Sequence, residues 1–128
     1  MGRLENKVAI VTGGAKGIGY VTCNTFSREG ASVVIVDMDK EAAEKAAQEI
    51  NDKGGKALAV AANLTVAEER EAIFEKAVEK FGKVDILINN AGWGCKTPFL
   101  EMTEEPFDRS INLNMKATYF MIQLACKQ

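Results

Sequence analysis

A glycine-rich turn near the start of the chain has the residue types and the spacing that bind a pyrophosphate. Gly13, Gly17 and Gly19 follow the apolar run Val8-Ala9-Ile10-Val11, an order that predicts a strand, a tight turn and then a helix. Such a turn presents bare backbone N–H groups and the positive end of a helix to an anion. We expect Gly13 to turn the chain off the strand, Gly17 to admit phosphates to the backbone and Gly19 to let the helix pack close to the sheet.

An acidic residue ends the next apolar run and extends this pattern to a dinucleotide. Asp37 follows Val33-Val34-Ile35-Val36, and it lies after Gly19 by about the 20-residue interval typical of a carboxylate that binds the adenosine ribose. The alternative is that Asp37 is an ordinary helix N-cap, a role that we also expect for Asp39. Ligands bind at strand ends in open sheets, which favours the ribose role.

The same carboxylate bears on which cofactor is bound. A 2′-phosphate close to Asp37 would be repelled by a few kcal/mol at an effective dielectric constant of about 20, which predicts NAD rather than NADP. Lys16, just before the second glycine, could instead favour NADP, but we expect its side chain to be solvated. Lys16 and Ile18 complete the predicted cofactor-binding turn.

Composition limits the other classes of function. The chain has 128 residues, 47% of them hydrophobic, and a formal net charge of −2, which predicts one domain and no nucleic-acid or membrane partner. No apolar run has the length of a signal peptide or a membrane span. Without histidine, a zinc site or an imidazole base is not expected, and we predict no metal. Cys23, Cys95 and Cys126 are scattered, as expected for reduced thiols of a cytoplasmic protein.

Strand and helix patterns alternate along the chain, which predicts an α/β fold with a doubly wound parallel sheet and helices on both faces. Each predicted helix except the last ends at a glycine. The predicted strands cover residues 7–11, 32–37, 56–61 and 84–89, and the predicted helices cover residues 17–29, 40–53, 66–81 and 103–128.

The last predicted helix is apolar on more than one face. Met115, Tyr119 and Ile122 are among its many apolar residues, and the helix reaches Gln128 without a glycine cap. One explanation is that a second copy of the chain covers this helix and forms a homo-oligomer. The other is that further chain packs against it, and we favour this second explanation.

Three motifs in this order resemble the classical short-chain dehydrogenases/reductases. They are Thr12-Gly13-x-x-x-Gly17-x-Gly19, Asn89-Asn90-Ala91-Gly92 and the asparagine of Ile111-Asn112-Leu113. The resemblance implies a Rossmann-type sheet with strand order 3-2-1-4 and a nicotinamide cofactor. It also implies hydride exchange between that cofactor and a small-molecule alcohol or ketone.

The resemblance further implies roles for particular residues. Asn63 and Leu64 lie where the family binds adenine, although asparagine replaces the usual aspartate and could be a simple turn residue. Asn90, Ala91 and Gly92 are expected to line the cofactor. Two residues that follow, Trp93 and Cys95, either border a substrate pocket or pack on the loop. Asn112 is expected to hold a water for proton relay.

The family's serine, and its tyrosine with a lysine four residues later, are not found. Tyr20 is followed at that spacing by Asn24, and Tyr119 by Gln123. We expect the catalytic serine and the Tyr-x-x-x-Lys segment to lie beyond Gln128. Residues 1–128 would then be the cofactor-binding part of a truncated dehydrogenase, and they would not catalyse the reaction by themselves. The alternative is a non-catalytic NAD-binding module or subunit fragment.

Overall fold

A computed structural model describes residues 2–128 and contains a four-stranded parallel sheet with the order β3-β2-β1-β4. This confirms the α/β class and the strand order that the resemblance implied. All three strand pairs are parallel, as the alternation of strands and helices predicted. The strands are β1 (Val8–Thr12), β2 (Ser32–Asp37), β3 (Lys56–Ala61) and β4 (Ile86–Ile88).

The helices begin and end close to the predicted bounds, with one exception. The last predicted helix is divided by a π-helical segment, Asn112–Ala117, and preceded by a 3₁₀ turn, Phe99–Glu101. The α-helices are α1 (Gly17–Arg28), α2 (Lys40–Asp52), α3 (Ala67–Phe81), α4 (Glu104–Ile111) and α5 (Thr118–Cys126).

Strand β4 is shorter than the predicted strand over residues 84–89. Its ladder with β1 covers only Ile86–Ile88. Before it, the Asp85 carboxylate accepts a hydrogen bond from the Val8 amide at 2.8 Å. After it, the Asn90 amide donates to the Thr12 hydroxyl at 3.0 Å as well as to the Ile88 carbonyl at 3.1 Å. Side-chain acceptors therefore supplement the backbone hydrogen bonds at both ends of this strand.

The core has one layer on each face of the sheet. On one face, α1 and α2 bury Cys23, Ala43 and Ile50 against β1 and β2. On the other, α3 and the last helical region bury Ile73 and Met121. Burial on both faces explains why the central strands are almost continuously apolar.

The last helical region has the two apolar faces that its sequence predicted. Ala117 and Met121 are buried in the core, whereas Met115 is 65% exposed, Tyr119 64% and Ile122 48%. Within residues 2–128, no helix has both the length and the apolar character needed to cross a membrane.

The register brings the predicted site residues to one edge of the sheet. Thr12 pairs with Val36 and Val11 pairs with Ile88, so the segments that follow β1, β2 and β4 leave the sheet side by side. Ligands of open parallel sheets bind at this carboxyl edge.

Candidate functional site

The turn after β1 has the conformation that its glycines predicted. Gly13 has φ +61° and Gly17 has φ +57°, both in the left-handed region that favours glycine. A Cβ atom added at Gly17 would meet no heavy atom within 4 Å, so the space beside this backbone is open. The turn therefore leaves room for a ligand at Gly17.

Gly19 allows a close approach of a different kind. A Cβ atom added there would lie 2.1 Å from the Gly13 carbonyl oxygen and 2.7 Å from the Asn90 side-chain nitrogen. The first turn of α1 thus packs against the glycine turn itself, and any larger residue at position 19 would push the two apart.

The N-terminus of α1 is not capped by a side chain of the described residues. The first helical hydrogen bond runs from the Tyr20 amide to the Lys16 carbonyl at 3.3 Å. The amides of Gly17, Ile18 and Gly19 precede it, and such amides have no acceptor within their own helix. Together with the helix dipole, they form a site for an anion.

Asp37 is held beside this turn. Its carboxylate accepts a hydrogen bond from the Ala15 amide at 3.3 Å and another from the Asp39 amide at 3.0 Å. The N-cap of α2 is Asp39, whose side chain accepts from the Ala42 amide at 3.1 Å. The predicted cap role of Asp39 is confirmed, and Asp37 is left half-buried at the sheet edge.

The sequence predicted that the Lys16 side chain is solvated, but the structure pairs it with an acidic side chain. Its ammonium forms an exposed ion pair with the Asp39 carboxylate at 2.9 Å. This hydrogen bond raises the pKa of Lys16 and lowers the pKa of Asp39. The pair forms because the N-terminal ends of α1 and α2 leave the sheet next to each other.

A cavity of about 290 Å³ brings together half of the predicted site residues. Its wall near β2 and β3 is mainly apolar, whereas its other end is formed by the loop after β4. It is lined by Gly13, Val36, Asp37, Met38, Ala62, Leu64, Asn90, Ala91, Gly92 and Leu113. A flat ring could lie between the apolar side chains, and polar groups of the same ligand could then reach the Asp37 carboxylate.

Asn63 does not line this cavity. Its side-chain oxygen accepts from the Thr65 amide at 3.0 Å and from the Thr65 hydroxyl at 2.7 Å. Its amide donates to Glu69. This is the geometry of a turn residue, the alternative that the sequence left open. The adjacent residue, Leu64, does reach the cavity.

Thr12 organises the site, although the sequence assigned it no role of its own. Its hydroxyl is buried and accepts from the Asn90 and Ala91 amides, each at 3.0 Å. The Asn90 side chain in turn donates to the Gly13 carbonyl at 3.1 Å. These contacts join the glycine turn to the loop after β4. The sequence feature that could have indicated this role is a hydroxyl residue at the end of an otherwise apolar strand.

The asparagine that contacts this loop is Asn114. Its oxygen accepts from the Trp93 amide and its nitrogen donates to the Trp93 carbonyl, both at 2.8 Å. A Cβ atom added at Gly92 would lie 3.1 Å from the Asn114 oxygen, so the loop lies close to the helix here. Asn112 is exposed and makes no side-chain hydrogen bond within residues 2–128. Asn114 lies one position beyond the Ile111-Asn112-Leu113 motif, and the sequence interpretation had assigned the family role to Asn112 alone.

Trp93 and Cys95 line a second cavity of about 500 Å³. The Arg109 guanidinium lies 4.2 Å from the centre of the Trp93 ring, in cation–π contact. The Cys95 thiol is 3.2 Å from the Thr97 hydroxyl, and this hydrogen bond lowers the pKa of Cys95. Trp93 therefore both borders a cavity and packs against its own loop and helix.

Comparison with known proteins places this geometry in a family. The family model for short chain dehydrogenases matches residues 7–128. The 7alpha-hydroxysteroid dehydrogenase of Escherichia coli strain K12 is 40% identical over 126 residues, which cover 98% of this chain and 49% of that protein. The 3-oxoacyl-[acyl-carrier-protein] reductase FabG of Thermotoga maritima is 37% identical over 122 residues, covering 95% of this chain and 50% of that protein.

Solved structures of short chain dehydrogenases and related reductases also match this chain. A short chain dehydrogenase from Mycobacterium smegmatis matches with a TM-score of 0.95 and 36% identity, covering 99% of this chain and 54% of that one. A 3-ketoacyl-(acyl-carrier-protein) reductase from Brucella melitensis, complexed with NADH, matches with a TM-score of 0.88 and 45% identity, covering 94% of this chain and 49% of that one. The chain spans about half the length of these relatives. It belongs to the short-chain dehydrogenase family.

Proposed function

We propose that this chain is the NAD-binding part of an oxidoreductase acting on an alcohol or ketone. The observation that carries the proposal is the uncapped N-terminus of α1, which lies beside a glycine turn and the fixed carboxylate of Asp37. The nicotinamide ring, when bound, would supply the hydride donor or acceptor. Everything else in the site concerns how the chain holds the cofactor.

The residues present fit a dinucleotide. The amides of Gly17, Ile18 and Gly19 would hold the diphosphate, because they are oriented donors at a helix N-terminus. The carboxylate of Asp37 would accept from the ribose hydroxyls. The cavity that extends from this carboxylate is apolar at Leu64, where an adenine ring would find contact area.

The remaining predicted contacts lie at the opposite end of the same cavity. The Thr12 hydroxyl holds Asn90 and Ala91 there, and Asn114 holds Trp93, the residue after Gly92. The backbone of Asn90, Ala91 and Gly92 would line the cofactor on the side away from Asp37. The turn role of Asn63 leaves its oxygen engaged, so we propose that Leu64 rather than Asn63 contacts adenine.

A preference for NAD over NADP follows from the charge of Asp37. Two unit charges about 4 Å apart repel by about 4 kcal/mol at an effective dielectric constant of about 20. A 2′-phosphate would meet this repulsion, whereas the ribose hydroxyls of NAD would gain an acceptor. Partial solvation reduces the difference, and we expect NAD to bind at least roughly tenfold more tightly.

Isothermal titration calorimetry with NAD⁺ and NADP⁺ tests this proposal. The wild-type chain should bind NAD⁺ more tightly, and Asp37→Asn should lose most of that preference. Glu41→Gln is the matched control, because it removes one exposed carboxylate from the nearby first turn of α2. Tighter binding of NADP⁺ by the wild type, or an equal effect of both variants, would contradict the role of Asp37.

The polar link between the helix and the loop favours Asn114 over Asn112 for a role in proton relay. Asn114 is fixed to the loop by two hydrogen bonds, whereas the predicted residue has none within residues 2–128. We further propose that the serine, tyrosine and lysine of the reaction come from additional chain, since this one spans about half of its relatives.

The source gene distinguishes this reading from a non-catalytic NAD-binding module. A downstream tyrosine, followed four residues later by a lysine, would support the enzyme. A stop codon directly after the codon for Gln128 would support the module. In both cases residues 1–128 should bind NAD⁺ without oxidising an alcohol.

Further chain is the cover that we favour for the last helical region in a complete protein, and we propose that in residues 1–128 alone its exposed apolar face forms a homo-oligomer contact. Met115, Tyr119 and Ile122 are about half exposed or more, although all three are apolar over most of their surface. Sedimentation velocity should show self-association that Ile122→Glu weakens and Gln123→Glu, an equal charge change at the next position, does not. A monomeric wild type at high concentration would contradict this contact.

A further inference from the structure

We propose that Asp39 is a specificity-determining residue of the cofactor site, because it holds the Lys16 ammonium away from the 2′ position of the adenosine ribose. The inference rests on the proposed NAD-binding function and adds a second determinant to it. Asp37 would disfavour NADP by direct repulsion. Asp39 would do so by engaging the one cation of the turn that could bind a 2′-phosphate.

The Asp39 carboxylate is fixed from several sides. One oxygen accepts from the Ala42 amide at 3.1 Å and so caps α2, while the other lies 2.9 Å from the Lys16 ammonium. Its own backbone amide donates to the Asp37 carboxylate at 3.0 Å. The residue therefore presents one oxygen to Lys16 from a position set by a helix end and by the neighbouring acid.

Lys16 lies where it could act on a phosphate at the ribose. It follows Ala15, whose amide donates to the Asp37 carboxylate at 3.3 Å. The hydrogen bond and charge of Asp39 raise the pKa of Lys16, and the charge of Asp37 adds to the same effect. A lysine in this position with no carboxylate partner would attract a 2′-phosphate. Here the lysine is paired, and the two acids leave a net charge of −1 on the trio.

The size of the effect is limited by exposure. The side chains of Lys16 and Asp39 are 68% and 46% exposed, and exposed ion pairs are weak because water and salt screen them. A phosphate could therefore compete for the ammonium, but only after replacing this partner. We expect a change in cofactor selectivity of about fivefold rather than a complete reversal.

The test is the ratio of the NADP⁺ and NAD⁺ dissociation constants, measured by isothermal titration calorimetry at low salt. Asp39→Asn removes the charge and keeps an oxygen that caps the helix. This variant should lower the ratio about fivefold, and the gain should shrink at high salt because the contact it frees is exposed. Glu41→Gln, with the same charge change in the first turn of α2, should leave the ratio as it is in the wild type.

A double-mutant comparison separates the role of Lys16 from a general charge effect. In a Lys16→Met background, Asp39→Asn should leave the ratio unchanged, because Asp39 acts through the lysine, whereas a general charge effect would lower the ratio in both backgrounds. The proposal is overturned if Asp39→Asn lowers the ratio as much in the Lys16→Met background as in the wild type, or if Glu41→Gln lowers it as much as Asp39→Asn. Wild-type protein that binds neither dinucleotide would instead overturn the proposed function, and this inference with it.

Discussion

Replacing Thr12 with valine should loosen the junction between the glycine turn and the loop after β4. The substitution keeps the shape of the side chain and removes the hydroxyl that accepts from the Asn90 and Ala91 amides. Because Thr12 is 1% exposed, water cannot easily replace it as an acceptor. The Ala91 amide loses its acceptor, whereas the Asn90 amide keeps the Ile88 carbonyl at 3.1 Å. An unsatisfied buried donor costs about 1–3 kcal/mol, which gives a loss of roughly 2–3 kcal/mol, most of it at the Ala91 amide.

Urea denaturation followed by far-ultraviolet circular dichroism measures this loss. Thr12→Ser is the control, since it keeps the hydroxyl and removes one buried methyl group worth about 1 kcal/mol. Thr12→Val should be less stable than Thr12→Ser, and it should also bind NAD⁺ more weakly because the loop lines the cavity. The reasoning is refuted if the valine variant is as stable as the serine variant or more so.

Three further predictions concern the turn, the last helical region and the core. Gly19→Ala should lower the free energy of unfolding, measured in urea, by about 1–3 kcal/mol, since the added Cβ atom has no room against the turn. Gly17→Ala should lower it by about 1 kcal/mol because of the positive φ, and it should also weaken NAD⁺ binding measured by calorimetry. Asn114→Ala should lower the thermal midpoint by a few degrees, because it loses two hydrogen bonds to Trp93 and one to the Ser110 hydroxyl, while Asn112→Ala should leave the midpoint unchanged. Burial raises the pKa of Cys23 to about 12, so iodoacetamide at pH 8.5 should modify it only after unfolding, as peptide mass spectrometry can show. Because the unfolded thiol ionises first, the contribution of Cys23 to stability should fall as the pH rises from about 8.5 towards 12.

Local signals in the sequence were enough for most of the fold. Apolar runs that begin just after Gly30 and Gly55 predicted β2 and β3 to the residue, because these glycines end the preceding helices and Asp37 and Asn63 mark where the apolar runs stop. The turn at Gly13 and Gly17 was likewise predictable, because its conformation depends on residues that are adjacent in the chain.

The contacts that organise the site depend on residues far apart in sequence. Thr12 binds a loop 78 positions away, and Lys16 pairs with an acid 23 positions away. Neither pairing has a periodic pattern, and both need the strand order before they can be inferred. The choice between Asn112 and Asn114 depends in the same way on how the π-helical segment places the two side chains.

The central claim is that the turn after β1 holds the diphosphate of NAD, and an NMR titration tests it most directly. In a spectrum of the ¹⁵N-labelled chain, added NAD⁺ should shift the amides of Gly17, Ile18 and Gly19 most strongly, together with that of Asp37. Inorganic phosphate should produce a weaker form of the same shifts at the helix end. Absence of shifts, or shifts confined to the cavity around Trp93 and Arg109, would contradict the account.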